Sequence, residues 1–511
     1  MSPYRNRFNS RFQGGLGLPT LSGVQELSSD GGIGYEVASA GRTVRHRGFV
    51  QGVYASADRH LDRTTLNYLR ESCRMHDRQS SLFSGVINRA LDNIIGSVFD
   101  FVPTTGDPEV NKVAKAFITN RMRKELCDAA GQMDFPTIAR TALRGVWNDG
   151  ASVLVKQKNG ALLNFEADQL ESPSQTGQNG SPKRIVNGVE LNKKNRHIAY
   201  WIRQRETRGD YGSGIHAATN SKRVSSNFVL YPAYKVRFGQ TVGVPYLAAI
   251  LKRHNKINNY LDYESTAAEI NAMLGWKIVR NDVGIKLPGD EANTDTTSTY
   301  DRIEKMEPGL IFDLQEGEDV DMIGSKRPGD NFEPYLINSL RIIGVGIGMP
   351  LELIMLDFSR TNYSSARASL GEARRMFRVW QKFTQTEICM PWYAWQIARG
   401  IALGELPADP RLFLARCQWP AWEYIDPVKE ATGNQISMDG NVKSPSEVIR
   451  EQGREPDETF AEIKADKEKM ESLGILPEPT VQPEKKLNTQ MGLLMSAVSD
   501  LTEIVEDLKR D

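Results

Sequence analysis

Residues 246–274 read YLAAILKRHNKINNYLDYESTAAEINAML, a stretch without proline or glycine and rich in helix formers. As one straight helix its 29 residues would extend about 43 Å, longer than most helices of a globular core. Gly275 ends it, and Trp276-Lys-Ile-Val-Arg begins a strand. A loop over 289–300 follows, and then 306–320 reads as turn, strand, turn and strand. A second helix is expected over 331–347. Two helices therefore bracket a β-rich module of about 55 residues. Pro350 breaks the chain, 356–363 reads as a polar loop, and a third helix runs from Ser364 to about Gly400, with Ser364 or Ser365 as its N-cap and a kink at Pro391. Its apolar positions include Leu370, Phe377, Trp380, Ile388, Trp392 and Trp395, while Arg367, Arg374, Arg375 and Arg378 line other faces.

Upstream, residues 1–55 are rich in Gly, Ser, Arg and Gln without a sustained period, as expected of a flexible arm. Its Arg5, Arg7, Phe8, Arg11 and Phe12 suit a solvated tail, or contact with nucleic acid or a partner shell. Helical spacing runs from Asp62 to about Phe101, with Leu82, Val86, Ala90 and Ile94 on one face, and Gly96 and Pro103 to stop it. A second helical region is expected from Pro108 to Asn148, then a strand after Asp149-Gly150. Residues 170–225 read as a loop-heavy β region with a strand from His197 to Arg203 and an exposed insertion near 205–224. Downstream of Trp422-Glu-Tyr-Ile-Asp-Pro lie charged helices. Pro477, Pro479 and Pro483 mark a linker, and Met491, Leu494, Val498, Leu501, Val505 and Leu508 follow a short a/d heptad.

The totals narrow the function. The 511 residues carry 64 Lys+Arg and 64 Asp+Glu, a formal charge of zero, which argues against a protein that wraps nucleic acid through a global basic excess. Cys73, Cys127, Cys389 and Cys417 are far apart in sequence and form no C-x-x-C pair, so reduced thiols are expected. No signal peptide and no transmembrane helix is expected, which suggests a cytosolic or particle-assembled protein without a membrane partner.

Catalytic patterns are missing from the sequence: no G-x-x-x-x-G-K-[ST] phosphate loop, no H-E-x-x-H, no EF-hand loop and no G-x-S-x-G elbow. His46, His60, His76, His197, His216 and His254 stand at no ligand spacing. Gly344, Gly346 and Gly348 end a helix instead of joining a strand to one, so a bending or close-packing role is expected. No catalytic residue, metal or cofactor is therefore assigned. Asp313, Glu316, Glu318, Asp319 and Asp321 cluster in what reads as one turn. A solvated acidic rim is favoured, and a metal-dependent nucleic-acid enzyme using the cluster is the alternative.

The order helix, β module, helix, polar loop and long helix resembles the stem, clip, stem, tunnel loop and wing helix of phage portal proteins. Local motifs sharpen the resemblance to the lambda-type family. Asn362-Tyr-Ser-Ser-Ala-Arg-Ala368, after Met349-Pro350-Leu-Glu-Leu, resembles that family's G-[IV]-P turn, short loop and N-Y-S-S-x-R helix start. Further pieces fall in the family's order: Asn93-Ile-Ile-Gly96, Gly239-Gln240 with Gly243-Val244-Pro245, Pro308-Gly309, Glu316-Gly317-Glu318, Arg327-Pro328 and Ile425-Asp426-Pro427. The resemblance covers about residues 60–465. Gly348-Met349 departs from it, since a β-branched residue more often precedes the proline, as do the N-terminal arm, the 205–224 insertion and the tail.

The resemblance implies an α+β portal fold of wing, stem helices, β-rich clip and α-helical crown, in a ring-forming oligomer typically of twelve subunits. The arm would be 1–55, the wing 56–245, stem helix 1 residues 246–275, the clip 276–330 and stem helix 2 residues 331–349. The tunnel-loop region would be 350–363, the long wing helix and its return 364–420, the crown 421–475, and the linker with the heptad helix 476–511. Asp357, Phe358, Ser359, Arg360, Thr361 and Asn362 would face double-stranded DNA, with Arg360 making either a phosphate contact or a structural salt bridge. Tyr363, Ser364, Ser365 and Arg367 would carry the family motif at the wing-helix start. Asp313, Glu316, Glu318, Asp319 and Asp321 would form the clip rim that docks the terminase large subunit and then head-completion or adaptor proteins. Major capsid and scaffold proteins are further expected partners, and the portal vertex of the virion, after assembly in the host cytoplasm, is the expected location. A shorter head–tail adaptor is a rival that would lack the bracketed β insertion. With no phosphate loop in the sequence, the purified protein is expected to release no phosphate from ATP above background in a colorimetric assay.

Overall fold

The computed structural model describes residues 56–97, 99–173, 184–203, 221–272, 275–280, 318–323, 331–422 and 424–474. The expected arm, the heptad tail, Asp313, Glu316 and most of the 205–224 insertion lie outside them. The chain divides into two compact units at Pro420/Ala421, each described by itself.

The first unit opens with a short helix α1 (Ala57–His60), then α2 (Arg63–Gln79) and α3 (Ser81–Ile94). Helical spacing predicted one continuous region here. Ser80 divides it, because its hydroxyl accepts the Phe83 N–H and caps a new helix. Gly96, at φ +62°, ends the run, and strand β1 (Asp100–Pro103) follows. The expected helix over 108–148 is likewise three: α4 (Pro108–Arg121), α5 (Lys124–Cys127) and α6 (Phe135–Asp149). Asp134 caps α6 through the Thr137 N–H at 2.9 Å.

A small β region comes next. Strand β2 (Ser152–Lys156) pairs with β3 (Leu162–Glu166), and a second sheet holds β4 (Arg184–Val186), β5 (Val189–Leu191), β6 (His197–Arg203) and β7 (Ser221–Ser225) in sequence order. Strand β8 (Val229–Leu230) returns to the free edge of β2. The chain then passes the end of α6, where Gly150 adopts φ +85° and a Cβ on Gly243 would lie 1.9 Å from the Gly150 carbonyl oxygen. Backbone meets backbone at this crossing, so only glycine fits.

The crossing delivers the chain to helix α7 (Ala248–Ala272), strand β9 (Gly275–Arg280), strand β10 (Glu318–Ile323) and helix α8 (Phe332–Ile347). The strands pair antiparallel, with Glu318 opposite Arg280 and Ile323 opposite Gly275. The helices are antiparallel too: Tyr260 lies 4.6 Å from the Tyr335 ring, while Gly346 comes close to Ile250 at the other end. Gly348, at φ +73°, caps α8. After α9 (Leu351–Met355) and the 356–362 loop, α10 (Tyr363–Thr384) begins. Its N-cap is Asn362, whose carbonyl accepts the Ser365 N–H at 2.8 Å, in place of the expected Ser364 or Ser365. A side-chain amide reaching three residues forward satisfies the open N–H better than a serine inside the first turn.

Pro391 was expected to kink this helix. The chain makes one π-helical turn there, over Gln385–Cys389, and continues as α11 (Met390–Ala402). The wider turn relieves the clash of the proline ring with the carbonyl four residues back, at Glu387. Strand β11 (Ala415–Gln418) then pairs antiparallel with β1.

Aromatic rings and ion pairs hold the unit together. Trp380 lies 5.4 Å from Trp147 and 4.9 Å from Tyr246, and Trp392 stacks on Phe135 at 3.9 Å. Arg74 forks onto the Asp149 carboxylate with two bonds of 2.8 Å, and Arg70 donates to the Asp149 carbonyl at 3.0 Å. Arg144 reaches Asp77 and Asn88 in the same way. Cysteines distant in sequence meet in one place: Cys389 and Cys417 are free and buried, and burial beside the Cys417 thiol pushes the Cys389 thiol up.

The second unit contains α12 (Pro427–Asp439), α13 (Pro445–Glu451) and α14 (Pro456–Ser472), each with proline in its first turn. The Tyr424 hydroxyl accepts from Asn434 and Gln452 and so ties α12 to α13. Val428, Ile436 and Val442 stay exposed.

Histidines that the sequence scatters are packed in pairs. The His76 and His254 rings meet edge-on at 4.9 Å beside Phe83, joining α2 and α3 to α7. Burial pushes the His254 imidazole down to about 4, and also depresses His76. In the unfolded chain these groups protonate near pH 6.5, so stability present above that pH is lost as pH falls toward 4. For His254 alone the loss is about 3 kcal/mol. Thermal melts at pH 7 and pH 4.5 are expected to show a smaller drop for His254→Gln than for the wild type.

Candidate functional site

The loop at 356–362 is built by local hydrogen bonds. Leu356 caps α9 at φ +55°, an unusual conformation for a leucine, and turns the chain outward. The Asp357 carboxylate accepts the Ser359 N–H at 2.9 Å, and the Ser359 side chain together with that N–H holds its carboxyl below the ordinary range. Both the Thr361 N–H and its hydroxyl close back on the Phe358 carbonyl. The Arg360 guanidinium pairs with Glu333 in the first turn of α8. Of the two roles the sequence left open for Arg360, this ion pair is the one the geometry contains. Both side chains are about three-fifths exposed, so a competing anion can reach Arg360.

Phe358, Tyr363, Ser364, Ser365 and Arg367 are all exposed. Arg367 gathers with Arg374, Arg375 and Arg378 along a groove of about 740 Å³ on α10, where Arg375 also holds Glu372 at 2.6 Å. Four arginines on one face give a positive groove adjoining the loop. Sequence reasoning had them on the helix but missed Glu333 as the loop's partner. The only signal was a carboxylate near the start of a helix, which is common.

The helix pair α7/α8 stands beside this loop. The first half of α7 is packed through Leu251, His254 and Ile257, and the Tyr246 hydroxyl donates to the Ile347 carbonyl at 3.0 Å. Tyr263, Tyr335, Ile342 and Val345 are exposed on the pair, Val345 at 84%. The acidic residues expected in one turn are distributed otherwise: Glu318, Asp319 and Asp321 lie on β10. Asp313 and Glu316 lie outside the described residues. Among the described residues no three His, Cys, Asp or Glu side chains are grouped to hold a metal ion, and no helix is long and apolar enough to cross a membrane.

Known proteins resemble this chain over most of its length. It is 24% identical over 441 residues to a probable portal protein of Halomonas phage phiHAP-1, spanning 80% of this chain and 82% of that relative. It is 23% identical over 189 residues, 34% of each chain, to the portal protein of Escherichia phage N15. Among solved structures, a chain from the neck of an empty GTA particle, computed with C6 symmetry, aligns with TM-score 0.44 at 12% identity, over 75% of this chain and 94% of that one. A chain from the neck of a native GTA particle, computed with C12 symmetry, aligns with TM-score 0.40 at 15% identity, over 76% and 94%. The family model for phage portal proteins of the lambda family matches residues 45–381. With its loop, helix pair and motif inside that span, this chain belongs to the lambda family of phage portal proteins.

Proposed function

We propose that copies of this chain close into a ring whose channel passes double-stranded DNA at one vertex of the capsid, during packaging and again at ejection. The observation that carries the ring is the helix pair α7/α8, whose Tyr263, Tyr335, Ile342 and Val345 are exposed among the described residues. Apolar faces of this kind are buried by neighbours, and a repeated head-to-tail contact closes into a ring. In this reading residues 56–245 are the wing, 246–275 and 331–349 the stem, 276–330 the clip and 421–475 the crown. The exposed Val428, Ile436 and Val442 of the second unit suit crown contacts between copies. The clip, with Glu318, Asp319 and Asp321, is the docking surface for the terminase large subunit and later for head-completion proteins. Capsid and scaffold proteins surround the ring, first in the host cytoplasm and then in the virion. The protein itself supplies no chemistry, and the packaging energy comes from the terminase.

The loop 356–362 is the part of the channel wall that meets DNA. Its hydrogen bonds to itself keep it short and firm, and the Arg360–Glu333 pair ties it to the stem. Exchange of Glu333 for a DNA phosphate at Arg360 gives a weak, movable contact, which suits DNA that must slide.

Native mass spectrometry with negative-stain averaging is expected to give a closed ring of about twelve subunits with a hole wider than a DNA duplex. A monomer or dimer at high concentration overturns the reading. In a packaging extract, Arg360→Ala is expected to lower packaged DNA several-fold while Glu333→Gln does so weakly. Equal losses from the two would assign the pair a purely structural role.

A further inference from the structure

Away from the loop, a second cationic site is built where the β5–β6 turn meets the segment leading to α7. The turn 192–196 is rigid: the Asn192 carbonyl oxygen of its side chain accepts the Lys194 and Arg196 N–H groups at 2.9 and 2.8 Å, and Asn195 sits at φ +59°. It presents Lys193, Lys194 and Arg196 to solvent. Arg184 braces it from β4 through Asn195. Across a cavity of about 350 Å³ stand Lys235 and Arg237, with Phe238 fully exposed at the rim.

The charge balance of this site differs from that of the chain. Lys235 and Arg237 line the cavity with Asn195 of the turn, Lys193, Lys194 and Arg196 are exposed on that same turn, and the carboxylates that act on Lys235 are Glu387 and Asp58. Both Asp58 oxygens are already engaged by Thr241, at 2.7 and 2.8 Å. His197 lines the same cavity, but it is neutral at physiological pH because burial lowers it to about 4. Among the described residues, Lys193, Lys194, Arg196, Lys235 and Arg237 make no direct ion pair, whereas Arg74, Arg144 and Arg223 each hold a carboxylate. Exposed cations grouped on a turn and a facing segment create a local positive potential that attracts anions.

We propose that this site binds the phosphate backbone of DNA, as a contact separate from the channel. The source of that DNA rests on the portal reading; the anion chemistry does not. Phosphates fit because the cations are exposed and spread along a turn and a facing segment, a layout that follows a charged strand without reading bases.

The test is binding of the full-length protein to a short random-sequence DNA duplex, measured across a salt series, with assembly mass and melting temperature followed in parallel. The triple variant Lys193→Ser/Lys194→Ser/Arg196→Ser is expected to keep both while reducing the slope of log K against log salt by about 2.7. The pair Lys235→Gln/Arg237→Gln is expected to reduce it by about 1.8 and serves if the triple variant folds poorly. Phe238→Ala should leave the slope unchanged. Unchanged slopes in both cation variants overturn the proposal. So does a partner protein whose capture depends on Phe238 more than on the cations, which would mark the site as a docking point for an acidic, apolar surface. A wild type that forms no ring while the slopes still differ defeats the portal reading and leaves the phosphate site standing.

Discussion

One surplus residue in the long helix decides where much of this protein's core can form. Trp380 and Trp392 are twelve positions apart, which in an uninterrupted α-helix sets them about 120° apart around the axis. The π turn over Gln385–Cys389 takes up about one residue and reduces that offset to about 20°. Both indoles are then buried, Trp380 against Trp147 and Tyr246, and Trp392 against Phe135 and Phe101. Pro391 makes the turn favourable because it lacks the N–H that a regular α-helix would use there.

From that anchorage the helix pair α7/α8 takes its position. Tyr246 is held by Trp147 and Trp380 and donates to the Ile347 carbonyl, so one aromatic cluster sets the start of α7 and the end of α8 together. The Gly150–Gly243 crossing fixes the entry to α7 from the other side. Among the described residues the pair keeps Tyr263, Ile342 and Val345 exposed, and such apolar residues are available to neighbouring copies.

Electrostatics is organised by place more than by total. Paired groups such as Arg74–Asp149 and Arg144–Asp77 lie inside, where geometry offsets desolvation. Surface cations collect along the α10 groove, and on the 192–196 turn with the facing Lys235 and Arg237. A zero sum is therefore compatible with local DNA contacts that are individually weak, which a conduit needs if the duplex is to move through it.

The sequence by itself determined the α+β class, the two helices bracketing a β module, the β6 strand and the motif at the start of α10. Helical and strand periodicity, glycine stops and proline breaks are local, and local signals survive without knowledge of neighbours. Where it failed, a side chain chose between equally available partners. Ser80 split a periodic run because its hydroxyl found the Phe83 N–H, and Asn362 displaced Ser364 and Ser365 as cap. Arg360 could have faced phosphate or carboxylate, and only the fold brought Glu333 beside it. His76 meeting His254, Cys389 meeting Cys417, and Asn195 sharing a cavity with Lys235 all join residues far apart in the chain. Such meetings depend on tertiary packing, and no spacing rule along one sequence encodes them.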